Sequence, residues 1–202
     1  MADNVDFAFL GQLVQTHQWP SGFVNAIVNS KDGVAMRFVI VDNSRSMLNE
    51  DGKKIVEDED EGDFRMKECS RWEEVTASVK AIAAIADAAE TPMEIRLLNK
   101  SQPVTVGQRR DGGESLQKAM ELLETQPSGQ TPICKQVQGV IDAVQTMAVR
   151  LRNMNKVALL TIITDGESTD GNVVEMLKPY EDLPLKIIIR MCTNERDVSD
   201  YW

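Results

Sequence analysis

Residues 36–47 (MRFVIVDNSRSM) are the most informative stretch of the sequence, because an unbroken apolar run ends there in closely spaced polar side chains. Residues 38–41 are aromatic or β-branched and do not alternate with polar residues, which is typical of a strand buried on both faces. Asp42, Ser44 and Ser46 follow, with an oxygen-bearing side chain at every second position. Open α/β sheets bind ligands at the carboxyl ends of their strands. Oxygen ligands at this density favour a hard cation such as Mg2+.

The rest of the chain alternates strands with amphipathic helices. Beyond the first strand, apolar runs predict four more strands, at 93–98, 103–106, 157–164 and 185–192. Apolar residues at helical spacing predict helices over about 70–89, 114–124, 132–151 and 172–178, and the start of another at 194–202. This order predicts an α/β fold: a doubly wound, mostly parallel, Rossmann-like sheet with helices on both faces.

Local signals set several of these boundaries. Ser70 and Glu73 form a capping box at the start of the first helix. The strand at 103–106 follows its predecessor after only four residues, so the pair is predicted to be antiparallel. Pro103 marks that second strand as the edge of the sheet. Thr131 and Pro132 are expected as the N-cap and first residue of the long middle helix.

Two segments lie outside this pattern. Residues 1–33 have loose helical spacing, and we interpret them as a helical N-terminal extension packed on a domain formed by residues 34–202. Residues 49–68 contain the acidic run 57–63 and are predicted to form a solvated, mobile loop. A role for this loop in shielding the nearby polar site is the alternative.

The composition excludes several classes of function. The chain has 202 residues and a net charge of −10, which makes a nucleic-acid partner improbable. Three distant cysteines without a Cys-x-x-Cys pair argue against a disulfide framework or a zinc site. No signal peptide or membrane span is recognisable, so we expect a cytoplasmic (intracellular) location.

Three segments together carry a resemblance to a known family. Asp42-x-Ser44-x-Ser46 follows the first strand, Gly129-Gln130-Thr131-Pro132 precedes the middle helix, and Thr164-Asp165-Gly166 ends the next core strand. In this order they resemble the von Willebrand factor A (vWA) domain, the integrin I-like domain, with its metal-ion-dependent adhesion site (MIDAS). The likeness covers roughly residues 34–198 and includes Ser44-Arg45-Ser46-Met47, which is similar to the usual Ser-Gly-Ser-Met.

The resemblance implies a Mg2+ (or Mn2+) site made of Asp42, Ser44, Ser46, Thr131 and Asp165. Ser44 and Ser46 coordinate through their hydroxyls, Thr131 coordinates directly in the ligand-competent state, and the two aspartates act largely through water. A carboxylate from the protein partner completes the octahedron. Neutral hydroxyls leave the ion electron-poor, which favours that incoming carboxylate. The implied function is non-catalytic, metal-dependent binding of a protein with an exposed Asp or Glu.

Two features depart from the family pattern. Arg45 stands where a small residue is frequent; it either contacts the partner's carboxylate or points to solvent, and we favour solvent. The chain also stops soon after its fifth strand, where the family usually continues. Its C-terminus is therefore truncated or divergent, or its place is partly taken by the N-terminal extension.

Simpler interpretations and other functions compete with this one. Asp42 and the serines can be ordinary turn residues, Thr131 a plain N-cap, and Asp165-Gly166 a common turn pair. An aspartate-based phosphotransfer enzyme using Asp42 is one alternative function, although haloacid dehalogenase-like phosphatases need a second acid where this chain has Ser44. The other alternative function is that of a structural scaffold with a vestigial metal site.

Overall fold

The sheet of the predicted fold is present in a computed structural model, which describes residues 11, 22, 25, 26, 29–57, 64–108 and 111–202. Five strands form the sheet, with the bounds Val34–Val41 (β1), Met93–Leu97 (β4), Val104–Val106 (β5), Val157–Thr164 (β6) and Leu185–Met191 (β7). They pair in the order β5-β4-β1-β6-β7. All neighbours are parallel except β4 and β5, so the predicted antiparallel edge strand is confirmed.

Helices cover both faces of this sheet, as predicted. They span Arg71–Ala88 (α1), Glu114–Leu123 (α2), Ile133–Asn153 (α3), Val173–Leu177 (α4) and Arg196–Tyr201 (α5). Alternate residues of β1 serve two cores: Phe38 and Ile40 pack with α3 and α4, whereas Val39 and Val41 pack with α1 and α2. This double burial explains why β1 is apolar without alternation.

The two helix starts predicted from sequence have different outcomes. The capping box at α1 is confirmed, since the Ser70 hydroxyl accepts the Glu73 N–H at 3.2 Å and the Glu73 carboxylate accepts the Ser70 N–H at 3.1 Å. The N-cap role of Thr131 is wrong. Helix α3 begins at Ile133 after Pro132 occupies the cap position, and no side-chain cap bond forms there.

The predicted loop at 49–68 is wrong over most of its length. Gly52–Glu57 (β2) and Phe64–Cys69 (β3) pair as a two-stranded antiparallel ribbon. Both of its faces carry charged residues, so the alternation that signals a half-buried strand is missing from the sequence. The ribbon exists because the two backbones satisfy each other's hydrogen-bonding groups. The remaining acidic residues, 58–63, lie outside the described residues.

The proposed N-terminal extension, residues 1–33, falls largely outside the described residues, so its packing on the domain stays a prediction. The described residues 11, 22, 25, 26 and 29 are helical, Ser30–Asp32 form a 3-10 helix, and Gly33 then leads into β1. Among the described residues no helix is long and apolar enough to cross a membrane.

Candidate metal centre

The predicted site residues lie at the carboxyl edge of the sheet, where β1 and β6 end side by side. Asp42 follows β1, Asp165 follows β6, and the Asp42 N–H donates to the Ile163 carbonyl at 2.8 Å. The chain winds from β1 toward β4 and β5, then returns to β6 and winds toward β7. Adjacent connections therefore diverge between β1 and β6, which is where doubly wound sheets open a binding crevice.

The carboxylate of Asp42 is fully buried and held on both oxygens. Its Oδ1 accepts the Ser44 N–H at 2.8 Å, and its Oδ2 accepts the Thr164 hydroxyl at 2.7 Å. Burial raises the pKa of Asp42, hydrogen bonds from Ser44 and Thr164 oppose that rise, and the negative charge of Asp165 adds to it. A nearby cation would oppose this rise in the pKa of Asp42, because it stabilises the ionised carboxylate.

A chain of oxygen atoms joins the serines to Asp165. The Ser44 and Ser46 hydroxyl oxygens are 3.0 Å apart, and the Ser46 hydroxyl donates to Asp165 Oδ1 at 2.8 Å. The loops after β1 and β6 thus meet through side chains, although 119 positions separate Ser46 from Asp165 in the sequence.

Thr131 is brought to the same edge by backbone contacts of its loop. The Ser128 N–H donates to the Asn43 carbonyl at 2.7 Å, and the Arg45 N–H donates to the Gly129 carbonyl at 3.4 Å. Thr131 is buried, and its own carbonyl accepts the Thr169 N–H at 2.9 Å. Its hydroxyl makes no hydrogen bond with any residue that the structure describes. Arg45 has an exposed side chain, which agrees with the preferred solvent-facing interpretation.

Arg71, for which the sequence predicts no functional role, places a positive charge next to the Asp165 carboxylate. Its Nη1 donates to Asp165 Oδ2 at 2.8 Å, while its Nε and Nη2 both donate to Asp51 at 2.6 Å. The Arg71 side chain is 5% exposed and that of Asp165 is 0% exposed. The pKa of the Arg71 guanidinium is raised, and its hydrogen bonds to Asp51 are the largest cause. Burial lowers the pKa, and the hydrogen bond to Asp165 raises it further. Arg71 is therefore always charged.

Two oxygen–oxygen separations in the predicted donor set match those found around a small hard cation. Six oxygens about 2.1 Å from Mg2+ in an octahedron lie about 3.0 Å from their neighbours. The Ser44–Ser46 and Ser46–Asp165 oxygen pairs have separations of 3.0 and 2.8 Å. The same spacings are those of ordinary hydrogen bonds. Among the described residues no group of three or more His, Cys, Asp or Glu side chains is arranged to hold a metal. The predicted set instead combines two carboxylates with three hydroxyls, and the metal stays a prediction.

Three further residues, Asn43, Asn99 and Asp170, hold the loops of the site together, and the sequence interpretation assigns them no such role. The buried Asn43 side chain accepts the Asn99 N–H at 2.9 Å, and Asn99 donates to the Gln130 carbonyl at 2.8 Å. Asp170 accepts the backbone N–H groups of Cys134 and Lys135, both at 2.9 Å, and so caps α3 from the loop after β6. The only sequence signal for Asp170 is an acidic residue in a polar loop, which does not identify the distant helix it caps.

Fold and site together define an α/β protein with a mostly parallel sheet and a polar cluster at its carboxyl edge, in which Asp42, Ser44, Thr131 and Asp165 are buried and Ser46 is exposed. No family model and no curated protein matches the sequence. Among solved structures, the chain is similar to the crystal structure of the SpRpn10 VWA domain, with 13% identity over 83% of this chain and 93% of that one and a TM-score of 0.39. Such a distant likeness transfers no residue role, so the site is argued from the geometry above.

Proposed function

We propose that this chain is a non-catalytic protein-interaction module of the vWA type. In this proposal Asp42, Ser44, Ser46, Thr131 and Asp165 hold Mg2+ or Mn2+, and the ion binds an Asp or Glu carboxylate on a protein partner. The single observation that carries the proposal is that three loops, separated in sequence, contact one another at the carboxyl edge of the sheet. The loops after β1 and β6 meet through the Ser44, Ser46 and Asp165 oxygens, and the loop before α3 meets the first of them through backbone hydrogen bonds.

The contacts of each residue suit the role proposed for it. Asp42 has both oxygens engaged by neighbouring donors, which favours an outer position around the ion rather than direct coordination. The hydroxyl of Thr131 is free among the described residues and is therefore available as a ligand. Although the chain carries a net charge of −10, diffuse surface charge is screened beyond about 8 Å at physiological salt. A divalent ion in contact with an acidic partner outweighs it.

The burial of Asp42 argues against the phosphotransfer alternative. A nucleophilic aspartate must present an oxygen to the phosphorus atom of its substrate. Asp42 is 0% exposed, and its two oxygens accept hydrogen bonds from Ser44 and Thr164. The position two residues later, where the phosphatase motif needs an acid, is Ser44. We accordingly propose no reaction for this site.

Calorimetric titration with Mn2+ tests the metal site directly. Wild type is expected to bind one ion, and Ser44→Ala or Thr131→Val is expected to weaken binding at least about tenfold, or about 1.4 kcal/mol, because each removes one oxygen ligand. Ser78→Ala is the matched control, since within the described part of the chain its hydroxyl donates only to the Glu74 carbonyl of α1. Absence of Mn2+ binding by wild type would refute the proposal.

A second measurement tests whether the metal site binds a carboxylate on a protein partner. Immobilised wild type is expected to retain proteins from a cell extract in Mn2+ and to release them on chelation, whereas Ser44→Ala retains none of that set. Carboxyl-blocking of the eluted proteins should abolish rebinding, because the proposed contact is a carboxylate. Steady hydrolysis of p-nitrophenyl phosphate that is lost in Asp42→Asn would instead support the enzyme.

A further inference from the structure

The Arg71 guanidinium contacts Asp165, one of the five residues of the proposed metal site. It donates to Asp165 Oδ2 at 2.8 Å, while the other oxygen of the same carboxylate accepts the Ser46 hydroxyl. Both side chains of the Arg71–Asp165 pair are almost completely buried. Water therefore screens the interaction weakly, and the guanidinium affects any ion bound beside Asp165.

We propose that Arg71 is a resident cation of this site: it balances the charge of Asp165 when no metal is bound and weakens the binding of a divalent ion. This inference rests on the proposed function, because it concerns the same five residues. It adds that metal occupancy is set by competition with a side chain of the protein itself.

Charge balance gives the physical reason. The two aspartates supply a charge of −2 to the site, and Arg71 reduces it to −1. Without Arg71, an ionised and fully buried Asp165 has no opposite charge in contact, which is strongly destabilising. With Arg71, the metal-free site is stable, but an incoming divalent ion meets a less negative site and a nearby positive charge. The same residue thus stabilises the empty site and opposes its loading.

Asp51 anchors the guanidinium from the opposite side. Both of its oxygens accept bonds from Arg71 at 2.6 Å, and its side chain is 57% exposed at the beginning of the β2–β3 ribbon. Asp51 and Asp165 therefore share one cation. Loss of the Asp51 charge leaves Arg71 with Asp165 at 2.8 Å and the exposed Glu195 carboxylate at 3.7 Å. Water screens the exposed Glu195 strongly, so the competition of Arg71 with metal should become stronger.

Opposite changes in Mn2+ affinity test the proposal. Arg71→Met keeps a long side chain without charge, and we expect it to bind Mn2+ between about 5- and 150-fold more tightly than wild type in calorimetry. Asp51→Asn should bind a few-fold more weakly. Two control variants, Arg96→Met and Asp142→Asn, remove a charge that contacts none of the five site residues, and they should change the affinity little.

Thermal unfolding supplies a second readout. In EDTA, Arg71→Met should unfold at a lower temperature than Arg96→Met, and Mn2+ should raise its midpoint more than that of wild type. If Arg71→Met does not fold in EDTA but folds with Mn2+, the charge-balance argument is supported. If Arg71→Met folds neither in EDTA nor with Mn2+, the Mn2+ affinity of Asp51→Asn tests the proposal instead: weaker binding than wild type supports it, and unchanged binding overturns it.

The failures of the two proposals are distinguishable. Equal Mn2+ affinities for wild type and Arg71→Met, or unchanged affinity in Asp51→Asn when Arg71→Met cannot be studied, overturn the resident-cation proposal and leave the metal site intact. If neither wild type nor Arg71→Met binds Mn2+, the proposed function fails and this inference fails with it.

Discussion

Replacing Asp170 by alanine should uncap the longest helix of the protein. Its carboxylate accepts the N–H groups of Cys134 and Lys135, both at 2.9 Å, at the start of the 21-residue helix α3. A side-chain cap contributes typically about 1 kcal/mol to the free energy of unfolding. A negative charge at a helix N-terminus adds about 0.3–1 kcal/mol. We expect Asp170→Ala to lose about 1–2 kcal/mol, because this exposed carboxylate is partly screened by solvent.

Urea unfolding followed by circular dichroism measures this loss, and the thermal midpoint should fall by about 2–8 °C for a chain of this length. Asp170→Asn should lose less, since it keeps one acceptor oxygen without the charge. The matched control is Asp142→Ala on the solvent face of the same helix, where the carboxylate accepts the Gln138 amide at 2.8 Å and no other hydrogen bond from the residues that the structure describes. Its effect should stay within about 0.5 kcal/mol.

The pH dependence follows from the pKa of Asp170. Burial tends to raise this pKa, but hydrogen bonds from the Ser168 hydroxyl and the N–H groups of Lys135 and Cys134 hold it below the usual value of 3.8. The folded state therefore binds the proton more weakly than the unfolded state. The stabilisation is present above about pH 4 and is lost as the pH falls through the lowered pKa. The reasoning is refuted if Asp170→Ala is as stable as Asp142→Ala at pH 7, or if its deficit persists undiminished at pH 2.

Three further predictions concern single positions. Gly129→Ala should cost about 1–3 kcal/mol, since Gly129 has φ +85° and an added Cβ would lie 2.7 Å from Asn99 Oδ1; urea unfolding measures it. Gly107→Ala should cost at least as much, because its Cβ would lie 2.4 Å from the Thr91 carbonyl oxygen, which is backbone and cannot easily move; expression yield and thermal midpoint check this. Burial raises the pKa of Cys192 to about 12, so iodoacetamide at pH 8 should alkylate it far more slowly in native than in urea-unfolded protein, and equal rates contradict this.

The sequence predicts those elements whose signals are local. The apolar runs at β1 and β6 identify buried strands, because only strands covered on both faces lack polar alternation. The short connection before Val104–Val106 predicts an antiparallel pair for a geometric reason, and the pair is present. The acidic stretch 49–68 is the counterexample. Its ribbon depends on pairing between Gly52–Glu57 and Phe64–Cys69, and neither strand has an apolar face that reveals it.

The residues of the candidate site also divide into those that the local sequence identifies and those that it does not. Asp42, Ser44 and Ser46 are recognisable from sequence because they follow one strand at a fixed spacing. Thr131 and Asp165 are predicted from the resemblance, and the loops that carry them meet the first loop through contacts such as Ser46–Asp165. Their coordination of a metal remains a prediction that the Mn2+ titration addresses.

The α/β class, the order of the five sheet strands and five helices, and the edge at which polar side chains gather are therefore predictable from the sequence, since periodicity and strand-end composition are local properties. The contacts of Arg71 with both Asp51 and Asp165, and the capping by Asp170 of a helix 36 residues earlier in the chain, are visible only in the folded protein. These contacts join residues that are far apart in sequence. The hydrogen-bond partners of a long polar side chain depend on which donors and acceptors the packed helices and strands bring within bonding distance.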